Sequence, residues 1–128
     1  MNKKLLFGLL SFALLSMLLS ACKIIDASTL PKATPVQMGS SQFIQQEVTI
    51  DKGTSVDLVN TSSSNHVISN GQWANGAQEP KVEPNAPTVS GVNVAASASL
   101  QVGPFVAAGD YHLFCTIHPN MNLLVHVK

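Results

Sequence analysis

Two short runs near the C-terminus, Tyr111 to Cys115 and Asn122 to Lys128, alternate apolar and polar residues on either side of a tight, ligand-rich turn. Successive side chains of a strand point to opposite faces of a sheet. Tyr111, Leu113 and Cys115 therefore share one face, with His112 and Phe114 on the other, while Leu123, Val125 and Val127 share a face and leave His126 opposite. The same period recurs upstream. Val48 and Ile50 alternate with polar neighbours, Asp51-Lys52-Gly53 makes a turn, and Val56 and Leu58 alternate again before Asn60. A strand start follows at Asn65 to Ile68, and strand character returns at Thr88 to Val94 and Ala98 to Phe105. Ser69 to Pro87, rich in Asn, Gly, Pro and Gln, carries little regular pattern and reads as a long surface excursion. No convincing amphipathic helix follows residue 22. Half-buried strands of this number must bury their apolar faces against one another, which predicts an all-β Greek-key β-sandwich over residues 42–128.

A chain of 128 residues has room for one such domain and no second core. Its 7 Lys+Arg, all Lys, are matched by 7 Asp+Glu with no run of like charge, so nothing marks a nucleic-acid partner. The N-terminus reads as a targeting segment: Lys3 and Lys4 precede an apolar run from Leu5 to Leu19 that is short for a membrane span. Leu19-Ser20-Ala21-Cys22 then resembles the lipobox of bacterial lipoproteins. That resemblance implies a signal peptide over residues 1–21 and lipid on Cys22, which would hold the protein in the bacterial cell envelope, facing the periplasm or the extracellular side. An ordinary signal peptide cut after Ala21 and an uncleaved anchor are the alternatives. From Lys23 to about Ser41, Pro31, Pro35, Gly39 and several small residues suggest a tether, with residues 22–41 lying between signal and domain.

The turn between the last two strands, Cys115-Thr116-Ile117-His118-Pro119-Asn120-Met121, places a thiol, an imidazole and a thioether within seven residues. Soft sulfur ligands beside a histidine suit copper better than zinc, calcium or magnesium. Blue copper sites take two His and one Cys with a weak axial Met, so one more histidine is required. Of the four in the chain, His112 and His126 sit mid-strand on the outward face and read as solvated surface. His66, at a strand end, is the candidate. The chain has two Cys, and if Cys22 carries lipid while Cys115 binds metal, no disulfide forms.

Gly109 to Met121 resembles the copper-binding signature of the cupredoxins, the plastocyanin and amicyanin group of small blue copper proteins, and Val56 to Asn60 followed by His66 resembles the family's strand leading to its first histidine ligand. The Cys-x-x-His-x-x-Met spacing is similar to the short loop of amicyanin. The resemblance implies His66 and His118 as nitrogen ligands, Cys115 as the short thiolate bond and Met121 as the weak axial ligand of one copper ion cycling between Cu(I) and Cu(II). It implies a monomeric one-electron carrier, not an enzyme, that exchanges electrons with a protein donor and acceptor through the edge of His118 and an apolar patch including Pro119. The chain departs from the family at two positions: Val67 follows His66 where many members have a bracing Asn, and Asn120 stands where Gly is common. A copper storage or delivery lipoprotein would use the same ligands. A zinc site is disfavoured by the thioether and the lack of a second nearby Cys, and a Cys-His nucleophile by the absence of an orienting Asp or Glu after Asp110.

Overall fold

A computed structural model describes residues 32–128, which contain nine strands and no helix. They are β1 (Ala33–Met38), β2 (Glu47–Ile50), β3 (Ser55–Asn60), β4 (His66–Ala74), β5 (Ala77–Pro80), β6 (Val92–Val94), β7 (Ser99–Val102), β8 (Gly109–Cys115) and β9 (Asn122–Val127). A three-stranded sheet runs β1-β3-β7, and a larger one runs β2-β9-β8-β4-β5 with β6 also paired to β4. Two pairings, β1 with β3 and β2 with β9, are parallel, and the others are antiparallel. The all-β sandwich expected from the alternating runs is the fold observed.

The core lies between the sheets and follows the period of two. Val56, Leu58 and Val102 from the smaller sheet meet Ile68, Tyr111, Leu113, Leu123 and Val125 from the larger, all at most 3% exposed. Burial of each such side chain stabilises by about 1.5–3 kcal/mol relative to exposure. Phe43 and Phe105, from loops, are buried at 1%.

The domain begins earlier than the sequence suggests. Residues 33–38, placed in the tether by their Pro and small residues, form β1, and Val36 and Met38 are fully buried. Pro35 is compatible with a strand here because β1 is an edge, where a missing N–H costs no ladder bond. The remaining tether, Cys22 and the signal segment lie outside the described residues.

β1 also fixes polarity. Its first residues lie beside Ser55, whose N–H donates to the Lys32 carbonyl at 3.4 Å. Its last, Met38, pairs with Asn60 and accepts from Thr61 N–H at 3.1 Å, on the side where the chain turns toward His66. Across β1 the separation is about 17 Å at 3.3 Å per residue.

Ser69 to Pro87 holds more structure than its composition suggests. β4 continues to Ala74, turns through Asn75-Gly76 at φ of 51° and 79°, and returns as β5. Positive φ at both central residues is the hairpin turn that Asn-Gly favours. Gly71, at φ 117°, lets the hairpin bend away from β8: a Cβ there would sit 2.2 Å from the Glu79 carbonyl oxygen. The hairpin becomes a flap over the outer face of the large sheet. Phe114, which parity places on the outward face, is 0% exposed for this reason, with Trp73 in an edge contact at 6.4 Å.

Candidate metal centre

Three strand ends and one turn converge at the Met38–Asn60 pole. β3 ends in Asn60, which is 1% exposed and spends its whole side chain on neighbouring loops. Its amide donates to the carbonyls of Ser64 (2.7 Å), Ala95 (2.9 Å) and Val94 (3.2 Å), and its oxygen accepts from the Ser62 N–H (3.0 Å) and hydroxyl (2.8 Å). The Ser-rich turn 61–65 is thereby fixed, and it delivers His66 as the first residue of β4. From the other side, β8 delivers Cys115 as its last residue, inward by parity and fully buried.

The loop from Cys115 to Met121 closes on itself. Cys115 N–H donates to the Met121 carbonyl at 3.0 Å, and Met121 N–H donates to the His118 carbonyl at 3.3 Å. Asn120 takes the left-handed conformation at φ 61°, which Asn tolerates better than most residues. This accounts for Asn where Gly is common. Met121 is 1% exposed and returns the chain to β9.

His66, Cys115 and His118 come together, their ligand atoms all within 4.8 Å of one another. Cys115 Sγ lies 3.4 Å from His118 Nδ1, close to the separation of about 3.5 Å that two ligands at 2.0–2.3 Å from one ion show at a tetrahedral angle. The rings of His66 and His118 stand 4.9 Å apart, tilted by 56°. His66 is fully buried, yet neither ring nitrogen has a hydrogen-bond partner. Buried polar atoms are rarely left so, and a metal ion would satisfy one of them. Burial first, and the neighbouring His118 second, lower the pKa of His66 below 6.5, with the Gly39 backbone opposing. The imidazole therefore stays neutral near pH 7 with its lone pair available.

Val67 replaces the expected Asn brace through its backbone. Its N–H donates to Cys115 Sγ at 3.4 Å and its carbonyl accepts from Thr116 N–H at 2.8 Å, tying the two ligand segments together. His118 is half-buried, flanked by Ile117 (51% exposed) and exposed Pro119. The remaining histidines are elsewhere: His112 pairs with Glu83 at 2.8 Å and His126 with Asp110 at 2.7 Å, both half-exposed on the outer face.

Asn60 and Trp73 were not singled out by the sequence as parts of this region. A buried Asn at a strand end has no periodic signature. The hairpin bearing Trp73 was signalled by Asn75-Gly76, but its polar strands do not alternate.

One buried cysteine sulfur, two imidazoles and an adjacent thioether at the end of a Greek-key sandwich define a mononuclear centre of the blue copper type, since this donor set matches copper in softness and in geometry. The chain belongs to the copper-binding plastocyanin/azurin family, whose model matches residues 32–128. Among solved structures it is similar to amicyanin from Paracoccus versutus (Thiobacillus versutus), at 24% identity and a TM-score of 0.57, over 79% of this chain and 87% of that one. A purple cupredoxin from Nitrosopumilus maritimus matches at 19% identity and a TM-score of 0.58, over 74% of this chain and 99% of that one. No curated protein matches the chain. Copper is the cofactor, with His66, Cys115, His118 and Met121 placed as a single site.

Proposed function

We propose that the protein is a one-electron carrier, tied by lipid on Cys22 to the outside of a bacterial membrane and passing electrons between a protein donor and a protein acceptor. The observation that carries the electron-transfer reading is the convergence of Cys115 Sγ with the nitrogens of His66 and His118 in a pocket the fold already holds rigid. Copper, when bound, supplies the Cu(II)/Cu(I) couple. The chain's residues would hold their donor atoms in much the same places whichever oxidation state the copper took. Asn60 pins the turn before His66, Val67 joins the two ligand segments, and the backbone bonds of Cys115 and Met121 close the loop. A centre that rearranges little on gaining an electron exchanges it quickly.

A carrier fits these residues better than an enzyme does. Cys115 has no hydrolytic arrangement around it: among the described residues, the histidines paired to carboxylates are His112 and His126, neither of which belongs to the cluster. The half-buried His118, with Ile117 and Pro119 at its rim, offers a short route from the buried ligands to a docked partner. Cys22, the last residue of a lipobox-like stretch, supports the envelope location.

The test is the visible absorption and electron-spin-resonance spectrum of the Cu(II)-loaded protein beside Cys115→Ala. An intense blue thiolate-to-copper band with narrow copper hyperfine splitting, both lost in the variant, is expected. A pale spectrum indifferent to the substitution would remove the electron-carrier reading. Ready transfer of the copper to a chelator of moderate affinity would favour storage or delivery. For the anchor, fatty-acid label should enter the wild type and not Cys22→Ser; label in both, or in neither, would refute it.

A further inference from the structure

The flap made by β4 and β5 touches the ligand loop at two points and the residue after it at a third. Trp73, the only tryptophan of the chain, donates its indole N–H to the carbonyl oxygen of Cys115 at 2.8 Å. Gln78, on the returning strand, donates to the carbonyl of Thr116 at 2.9 Å. Asn122, the residue after Met121, grips the backbone of Trp73 in both directions, accepting from its N–H at 2.7 Å and donating to its carbonyl at 3.0 Å. Trp73 is thus held from just past the far end of the same loop whose first residue it holds.

The Cys115 carbonyl needs such a donor. Toward β9, Cys115 gives its N–H to the Met121 carbonyl, but Met121 turns its own N–H to His118 and does not return the bond. Without the flap, the Cys115–Thr116 peptide would keep its bond from Thr116 N–H to the Val67 carbonyl but leave the Cys115 oxygen without its donor. A hydrogen bond from an aromatic side chain, itself clamped and packed edge-on against buried Phe114, fixes that oxygen. The indole dipole also points its positive end toward the cysteine, which favours the extra electron of the reduced state.

We propose that Trp73 is a positioning residue of the copper centre: through the Cys115 carbonyl it sets the orientation of the thiolate ligand and raises the centre's affinity for an electron, with Asn122 holding it in place. This rests on the copper reading above. It assigns the flap a role in tuning the redox centre beyond covering the sheet.

The experiment compares the wild type with Trp73→Phe and with a variant carrying benzothienylalanine at position 73, which keeps the shape of the indole and replaces its N–H by sulfur. In the copper-free wild type, the single indole proton should exchange with solvent slowly, as a proton engaged in a hydrogen bond does. In the copper-loaded proteins, both variants should favour the oxidised state in equilibration with a redox mediator, by several-fold and up to about tenfold, a tenfold change being 59 mV for one electron. The intensity ratio of the thiolate-to-copper bands should change in both, while the benzothienyl variant unfolds within a few degrees of the wild type. A blue wild type with unshifted mediator equilibrium and spectrum in the benzothienyl variant would reduce Trp73 to a cover for Phe114. So would a fast-exchanging indole proton. A wild type without any thiolate-to-copper band would overturn the copper reading, and this role with it.

Discussion

Replacement of Asn60 by alanine tests whether a single buried amide holds the approach to the first histidine. The amide group has two protons for three carbonyls at 2.7, 2.9 and 3.2 Å, so it makes two full bonds, one of them shared. The oxygen accepts from Ser62 N–H at 3.0 Å and from its hydroxyl at 2.8 Å. Water can replace the amide for the half-exposed hydroxyl, which leaves three bonds to count. At about 1 kcal/mol net each, Asn60→Ala should cost about 3 kcal/mol. For a domain of this size that lowers the melting temperature by roughly 12–24 °C. Asn60→Asp keeps the acceptor for Ser62 but sets a carboxylate against three carbonyls, so it should be worse than alanine. Thermal and urea unfolding of the copper-free protein measure both. A cost below about 1 kcal/mol for alanine, or an aspartate no worse than alanine, would refute the bracing argument.

Met38→Ala, at a fully buried position of β1, should destabilise by about 2–5 kcal/mol, against no more than about 0.5 kcal/mol for exposed Gln37→Ala; equal, small effects in urea unfolding would return β1 to the tether. Gly71→Ala must push a Cβ against the Glu79 carbonyl from a positive φ, at about 3 kcal/mol, and should expose Trp73, read as a red shift of its fluorescence; an unshifted, fully stable variant would contradict the packing. Because His66 has its pKa lowered below 6.5 in the folded state, the unfolded chain takes up that proton first as pH falls. Copper-free stability should therefore be complete above about pH 6.5 and decline as pH falls from there through the lowered folded value. The decline should be smaller in His66→Gln, and an identical slope in both proteins, measured as urea midpoints, would assign it to another group.

The ligand loop was legible because its chemistry is local: Cys115, His118 and Met121 lie within seven residues, and the flanking strands state their inward faces by parity. His66 was found by need, as the one strand-end histidine left after the loop had used His118. β1 was hidden because an edge strand tolerates what a tether also contains, a proline among small polar residues. The burial of Phe114 could not be read from parity, since parity assumes that an outward face meets water. Here a polar hairpin folds back over it, and its position depends on how Gly71 bends the chain. The Val67 brace was invisible for a different reason. It is made by backbone atoms, and every residue but proline offers those.

The direction of β1 sets how a tethered domain meets its surroundings. The chain enters at Lys32 and reaches the ligand pole only at Met38, so an attachment upstream pulls on the end of the sandwich remote from the ligands. With lipid on Cys22 as proposed, nine residues separate the anchor from Lys32, about half the nineteen that a tether running to Ser41 would have. The ligand pole is then the part of the described domain farthest from its attachment. On that proposal, attachment raises the effective concentration of the copper pole for partners sharing the membrane, and favours those whose docking face stands clear of the lipid.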